Sequence, residues 1–357
     1  MTTAAGNDSR NRAENTALAI LHSGTVIPAH PLALDANRVF DPRRQRAISR
    51  YYIDSGVGGI AVGVHTTQFG IRAAGIFGDV LAVTADAVAD WADRPVALVA
   101  GVIGDTAQAV AEAELAKVLG YDAAMLNVAA WKGRPEQEIL EHCRVVAQVM
   151  PLIGFSLLPE VGGFHLSYDF WRGFASIPNV IAIKMAPFNR YRTLDIVRAV
   201  VDARAEERIT LYTGNDDHIV LDLLQPFVVM RDSEPVTVHI AGGLLGHWSV
   251  WTQRAVEQFG ELTSTRGEAV PQSLLALDSV VTDSNGAIYD ALNDFAGCVP
   301  GCLEILRRQG FVESVVCLNP DEILSPGQLE EIDRVYAAYP ALNDDRFVAD
   351  NLAAWLN

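Results

Sequence analysis

Lysine is almost missing from this chain. Three occur, Lys117, Lys132 and Lys184, and arginine supplies the other 24 of the 27 basic residues. Cations are scarce overall: 27 against 44 acids gives a net charge of −17. An acidic surface of that kind argues against a nucleic-acid groove and against docking on anionic lipid. It leaves a small anionic substrate open, because a site can be locally positive. Long hydrophobic runs are absent too, and nothing approaches the roughly 18 apolar residues that read as a membrane helix. The segment Met1 to Asn15 is polar and lacks the apolar core of a secretory signal, so residues 1–20 read as a mobile tail. Cysteine is limited to Cys143, Cys298, Cys302 and Cys317. The four-residue step between Cys298 and Cys302 suits neither a zinc knuckle nor a redox CxxC pair, so buried reduced thiols in a cytoplasmic protein are expected.

What is present is a repeated pattern. Eight short β-branched apolar runs recur at 24–28, 59–63, 96–103, 123–128, 152–157, 180–185, 209–213 and 236–241. Amphipathic stretches separate them; Thr106 to Leu119, for example, places Ala107, Val110, Ala111 and Leu115 at helical spacing. Strand and helix alternating about every 30 residues is the pattern of βαβ units and a parallel sheet. Eight units over residues 21–265 predict an α/β fold, a (β/α)8 TIM barrel. The alternative is a doubly wound open sheet, but no GxGxxG fingerprint follows the first strand. Residues 266–357 predict a C-terminal helical extension packed on the barrel. Its expected helices cover 273–281, 288–295, 300–309 and 326–339, with Gly310 as a C-terminal cap.

The scarce lysine returns at the sixth run, Val180-Ile181-Ala182-Ile183-Lys184-Met185-Ala186. A charge in a buried strand is costly unless it has a use. Arginine would serve for an ion pair. Only lysine can lose its proton when desolvated and attack a carbonyl. In barrels the chemistry lies at the C-terminal strand ends. Those ends carry Gly63-Val64-His65-Thr66-Thr67-Gln68, then Phe155-Ser156, Lys184, Thr213-Gly214-Asn215-Asp216-Asp217-His218 and Gly242-Gly243. Lys184 reads as the nucleophile and His65 as an acid/base group. Thr66 and Thr67 offer hydroxyls and amides for a carboxylate or carbonyl oxygen, and Gly242 and Gly243 permit close backbone approach. Asp216 and Asp217 stand where a helix begins and read as capping acids. His239 reads as a core histidine, and Trp171, Trp248 and Trp251 as packing residues.

On Asn179 to Lys184, Tyr212-Thr213-Gly214-Asn215-Asp216 and the helical extension, the chain resembles the dihydrodipicolinate synthase / N-acetylneuraminate lyase family of Schiff-base aldolases. The resemblance covers about residues 20 to 340. It implies that Lys184 condenses with the keto group of pyruvate or another 2-oxo acid. It also implies substrate contacts from Thr66, Thr67, Phe155, Gly214, Asn215, Asp216, Gly242 and Gly243, no cofactor and no metal, and a homo-oligomer, dimer or tetramer. The departures matter as much. The family's GTTGE-like loop here reads GVHTTQ. The tyrosine of its YNxP-like motif is replaced by Phe155, which has no hydroxyl to donate. Glu160-Val161-Gly162-Gly163 stands where the synthase branch carries an arginine. These changes argue against the lysine-biosynthesis synthase itself. Three readings remain at this level. They are a lyase doing aldol or dehydration chemistry, a metal-dependent hydrolase using His65, Asp216, His218 and His239, and a non-catalytic small-molecule-binding barrel.

Overall fold

The structure is a computed structural model and describes residues 16–357. Most of the expected tail therefore lies outside the described residues. Residues 16–20, assigned to it on composition, belong to a helix over residues 16–23, α1. This helix is ordered by burial: Ala17 and Leu21 join the apolar filling of the barrel interior.

Eight parallel strands follow in order: β1 (Val26–Pro28), β2 (Gly59–Val62), β3 (Ala97–Val102), β4 (Ala123–Leu126), β5 (Leu152–Leu157), β6 (Val180–Ala186), β7 (Thr210–Thr213) and, after one interruption, β9 (Glu234–Leu245). They pair in the sequence β1-β9-β7-β6-β5-β4-β3-β2. A parallel bridge between Ala29 and Ala61, with His30 N–H donating to Ala61 O at 2.8 Å, closes the ring. This is the (β/α)8 barrel expected from the pattern. The interruption is β8 (Pro226–Arg231), which forms an antiparallel hairpin with the first half of β9. Its alternation was hidden because Val228 and Met230, on the exposed face, are apolar as well. The hairpin also corrects the placement of His239, which is exposed on it and not in the core.

Outer helices α2 (Pro42–Asp54), α3 (Phe77–Trp91), α4 (Thr106–Val118), α5 (Glu136–Ala147), α6 (Tyr168–Ala175), α7 (Arg190–Asp202), α8 (Ile219–Leu224) and α9 (Thr252–Ser264) cover the sheet. Local chemistry sets several starts. Asp41, Asp105, Ser167 and Asn189 each accept a main-chain N–H of the first turn, as N-caps do. Two apolar layers result. One lies between strands and helices, the other fills the barrel and is rich in alanine.

The extension consists of α10 (Gln272–Ile288), α11 (Cys298–Arg308), α12 (Gln328–Ala338) and α13 (Asp345–Trp355). Gly310, at φ 87°, terminates α11 as expected. The helix expected over 288–295 does not form. α10 ends at Ile288, and Asp290, Asp294 and Phe295 take left-handed backbones instead. The extension is locked to α2. Tyr51 Oη donates to Asp344 at 2.6 Å, and Trp355 Nε1 donates to Asp54 at 2.6 Å. Trp171, Trp248 and Trp251 are buried packing residues, and all four cysteines are buried free thiols.

Candidate active site

Period two along β6 decides where its lysine goes. Ile183 and Met185 face the helices, Ala182 and Ala186 face the interior, and Lys184 shares the interior face. Small neighbours leave it room. Gly214, just after β7, completes that room: a Cβ there would stand 2.7 Å from Lys184 Cε and 2.9 Å from Ala186 Cβ. The ammonium lies 4.4 Å from the ring centroid of Phe155, its register partner on β5.

These residues open into a cavity of about 580 Å³, mouth included, at the C-terminal end of the barrel. Lys184, His65, Thr66, Phe155, Gly214 and Asp216 all line it. Burial lowers the Lys184 pKa, and the Asp216 carboxylate partly offsets this. Asp216 moves the other way. Burial raises it well above the usual carboxylate range, while Lys184 and the His247 main-chain amide pull it back. One Asp216 oxygen, Oδ1, has no hydrogen-bond partner. Burial, with Lys184 second, holds His65 down to about 4, so its imidazole is neutral at neutral pH. Its Nδ1 is 4.0 Å from Cys298 Sγ.

Four residues expected at the site are used elsewhere. Thr67 is buried, donating to His30 O at 2.6 Å and accepting from Gly63 N–H at 3.0 Å. It pins the loop. Asn215 holds a loop as well: its Oδ1 accepts from Phe188 N–H and its Nδ2 donates to Asp222 and Thr193. Gly242 packs against the backbone of Thr25, and Gly243 against the Trp248 ring, where a Cβ would clash at 2.4 and 2.6 Å. Of the glycines at the end of β9 and just after it, Gly246 borders the cavity, and the Tyr289 hydroxyl rests over it; a Cβ there would be 1.6 Å from that hydroxyl. Thr66 does line the cavity, with its hydroxyl donated to Ala29 O at 2.7 Å. Asp216 and Asp217 do not cap α8, which begins at Ile219 with no side-chain cap.

Sequence reasoning missed Tyr289, Phe295 and Cys298, which the extension brings to the cavity, and Phe188 from the loop after β6. No local pattern marks them. The proposed metal ligands do not converge: His239 is on the hairpin, and the described residues contain no group of three or more His, Cys, Asp or Glu placed to hold an ion.

Comparison with known proteins gives the same neighbourhood. The profile of the Dihydrodipicolinate synthetase family matches residues 22–244. N-acetylneuraminate lyase 2 of Escherichia coli O6:H1 is 23% identical over 312 residues, which is 86% of this chain and 90% of the lyase. The 4-hydroxy-tetrahydrodipicolinate synthase of a Cyanothece species is 31% identical over 121 residues, spanning 33% of this chain and only 39% of that synthase. Among solved structures, dihydrodipicolinate synthase from Acinetobacter baumannii complexed with pyruvate superposes with a TM-score of 0.72 at 17% identity, covering 88% of this chain and 98% of that one. CdNal from Clostridium difficile, in complex with mannosamine, gives 0.70 at 20% identity over 88% and 99%. At such identities the superpositions speak for the fold alone. The profile match, which runs from α1 into β9 and takes in Lys184, shows that the chain belongs to the Dihydrodipicolinate synthetase family, whose relatives named here are lyases and synthases of the class I aldolase type.

Proposed function

We propose that this protein is a lyase that forms a Schiff base between Lys184 and the keto group of a small 2-oxo acid or related carbonyl compound. The observation that carries the reading is a lysine buried in the cavity with its pKa lowered, on the inner face of β6. Desolvation makes the free amine accessible near neutral pH, and the free amine is the nucleophile. The amine adds to the keto carbon and water leaves, giving an imine. The imine accepts the electron pair released when a C–H or C–C bond beside it breaks. An enamine forms, which then takes a proton or an aldehyde carbon. Hydrolysis consumes one water and returns the amine. This is aldol cleavage, condensation or, with loss of a further water, dehydration. The imine is the electron sink, so the scheme needs no cofactor.

Phe155 cannot shuttle the proton. Asp216, whose raised pKa lets it hold or release a proton near neutrality, and neutral His65 are the groups we assign to that work. Thr66, Gly214 and Phe155 bound the space for the bound acid. We further propose a cytoplasmic homo-oligomer, dimer or tetramer, with a small molecule as its partner. The test is incubation with pyruvate and a panel of 2-oxo acids, borohydride reduction and mass spectrometry of the intact protein. An adduct mapped to Lys184 supports the reading. If no acid adds mass while a control aldolase labels, the Schiff base is abandoned, and ligand-induced stabilisation without an adduct would favour a binding-only barrel.

A further inference from the structure

We infer that the part of the substrate beyond the imine carbon is an uncharged apolar group of aromatic or branched aliphatic shape. This rests on the Lys184 chemistry proposed above and names its substrate class. Among the described residues that line the cavity, two are charged in ordinary solution, Lys184 and Asp216. Imine formation occupies the first, and we assign the second to proton transfer. The rest of the wall is mainly apolar, with Phe155, Leu157, Leu158, Val161, Phe188 and Phe295 as its principal members; its polar members are His65, Thr66, whose hydroxyl is donated to Ala29 O, Tyr289 and Cys298. Among the described residues no arginine lines it. A polyhydroxylated chain would bury most of its hydroxyls against these apolar side chains without partners, since Tyr289 Oη, Asp216 and His65 could meet only a few of them, and a second carboxylate would find no cation.

The backbone supports the same conclusion. Phe188 and Phe295 are non-glycine residues in the left-handed region, at φ 44° and 64°. Such conformations persist where the surroundings over-determine them. Here each is tied: Phe188 N–H donates to Asn215 Oδ1 at 3.1 Å, and Phe295 N–H donates to Asp290 O at 3.0 Å. The two rings meet edge to face, centroids 5.4 Å apart and planes at 83°. Two strained loops, one from the barrel and one from the extension, thus place an aromatic pair at the cavity that holds Lys184.

The experiment is competitive borohydride trapping on the full-length protein. The acids differ only beyond the keto carbon: pyruvate, 4-methyl-2-oxopentanoate, 4-phenyl-2-oxobutanoate, 2-oxoglutarate and 2-oxoadipate. We expect the phenyl acid to label Lys184 at least ten-fold faster than either dicarboxylic acid, with the branched acid between them. F188A and L158A should each lower the ratio of phenyl acid to pyruvate labelling at least five-fold; a ratio is read because a folding defect lowers both rates alike. Faster labelling by the dicarboxylic acids, or no discrimination, overturns this inference and leaves the lysine chemistry standing. Absence of any adduct overturns both.

Discussion

The two ends of the barrel interior treat polar groups in opposite ways. At the lower end, Tyr212 Oη donates to Leu21 O at 2.6 Å and Thr210 Oγ1 donates to His22 O at 3.1 Å. Helix α1 seals that end, and its polar groups are spent on holding the seal. At the upper end Asp216 Oδ1 lacks a partner, Lys184 stands over an aromatic ring, and the pKa values of Lys184, Asp216 and His65 are all displaced by burial. Lys184 and Tyr212 are register partners on neighbouring strands, so the contrast develops within one strand pair. Buried polar groups that are satisfied hold a fold together. Those left unsatisfied in a cavity mark a candidate functional site.

The sharpest way to break this contrast is to remove the amine. K184R keeps a cation but cannot form an imine, and adduct formation and turnover should fall on the order of 10³-fold or more. Trapping with borohydride reads this directly. Next in size is G214A. The new Cβ would force Lys184 from its place, and a displacement of this kind should cost about 10²-fold in activity. Circular dichroism would check that the fold survives.

D216N sharpens the comparison through pH. The free amine attacks, so adduct formation rises as pH passes the Lys184 pKa. Burial lowers that pKa and the Asp216 carboxylate raises it. Removing the carboxylate should move the midpoint to lower pH, and a midpoint that moves up or stays fixed would separate the two residues. A pH series of trapping rates decides. Smallest is Y212F at the sealed end. It removes one hydrogen bond, should cost about 1 kcal/mol of stability in denaturant unfolding, and should leave kcat nearly unchanged.

The fold and much of the lining of the candidate site were legible in the chain. The eight strand–helix intervals gave the barrel. A lysine in an apolar strand of a lysine-poor protein gave Lys184, and residues at the strand ends gave His65, Thr66, Phe155, Gly214 and Asp216. Thr67 and Asn215 stand beside true cavity residues in sequence but point elsewhere. Which way a loop side chain turns depends on the partner it meets, His30 O in one case and the Phe188 amide in the other. Gly242 and Gly243 were read as ligand approaches, yet their space is filled by Thr25 and Trp248. A glycine marks close approach without saying of what.

Period, propensity and capping act over a few residues, so the sequence by itself determined the eight parallel strands, most helices and their alternation, with Lys184 inside a buried strand. Tyr289, Phe295 and Cys298 lie roughly a hundred residues beyond that lysine in a segment without a marked pattern. Only tertiary packing, which seats α10 on the loop after β7 with Asn285 Nδ2 donating to Asp216 O at 2.6 Å and Thr282 Oγ1 donating to Asp217 O at 3.0 Å, brought them over the barrel mouth. The same packing supplied the desolvation that lowers the Lys184 pKa, because dielectric surroundings belong to the assembled site and to no single stretch of chain.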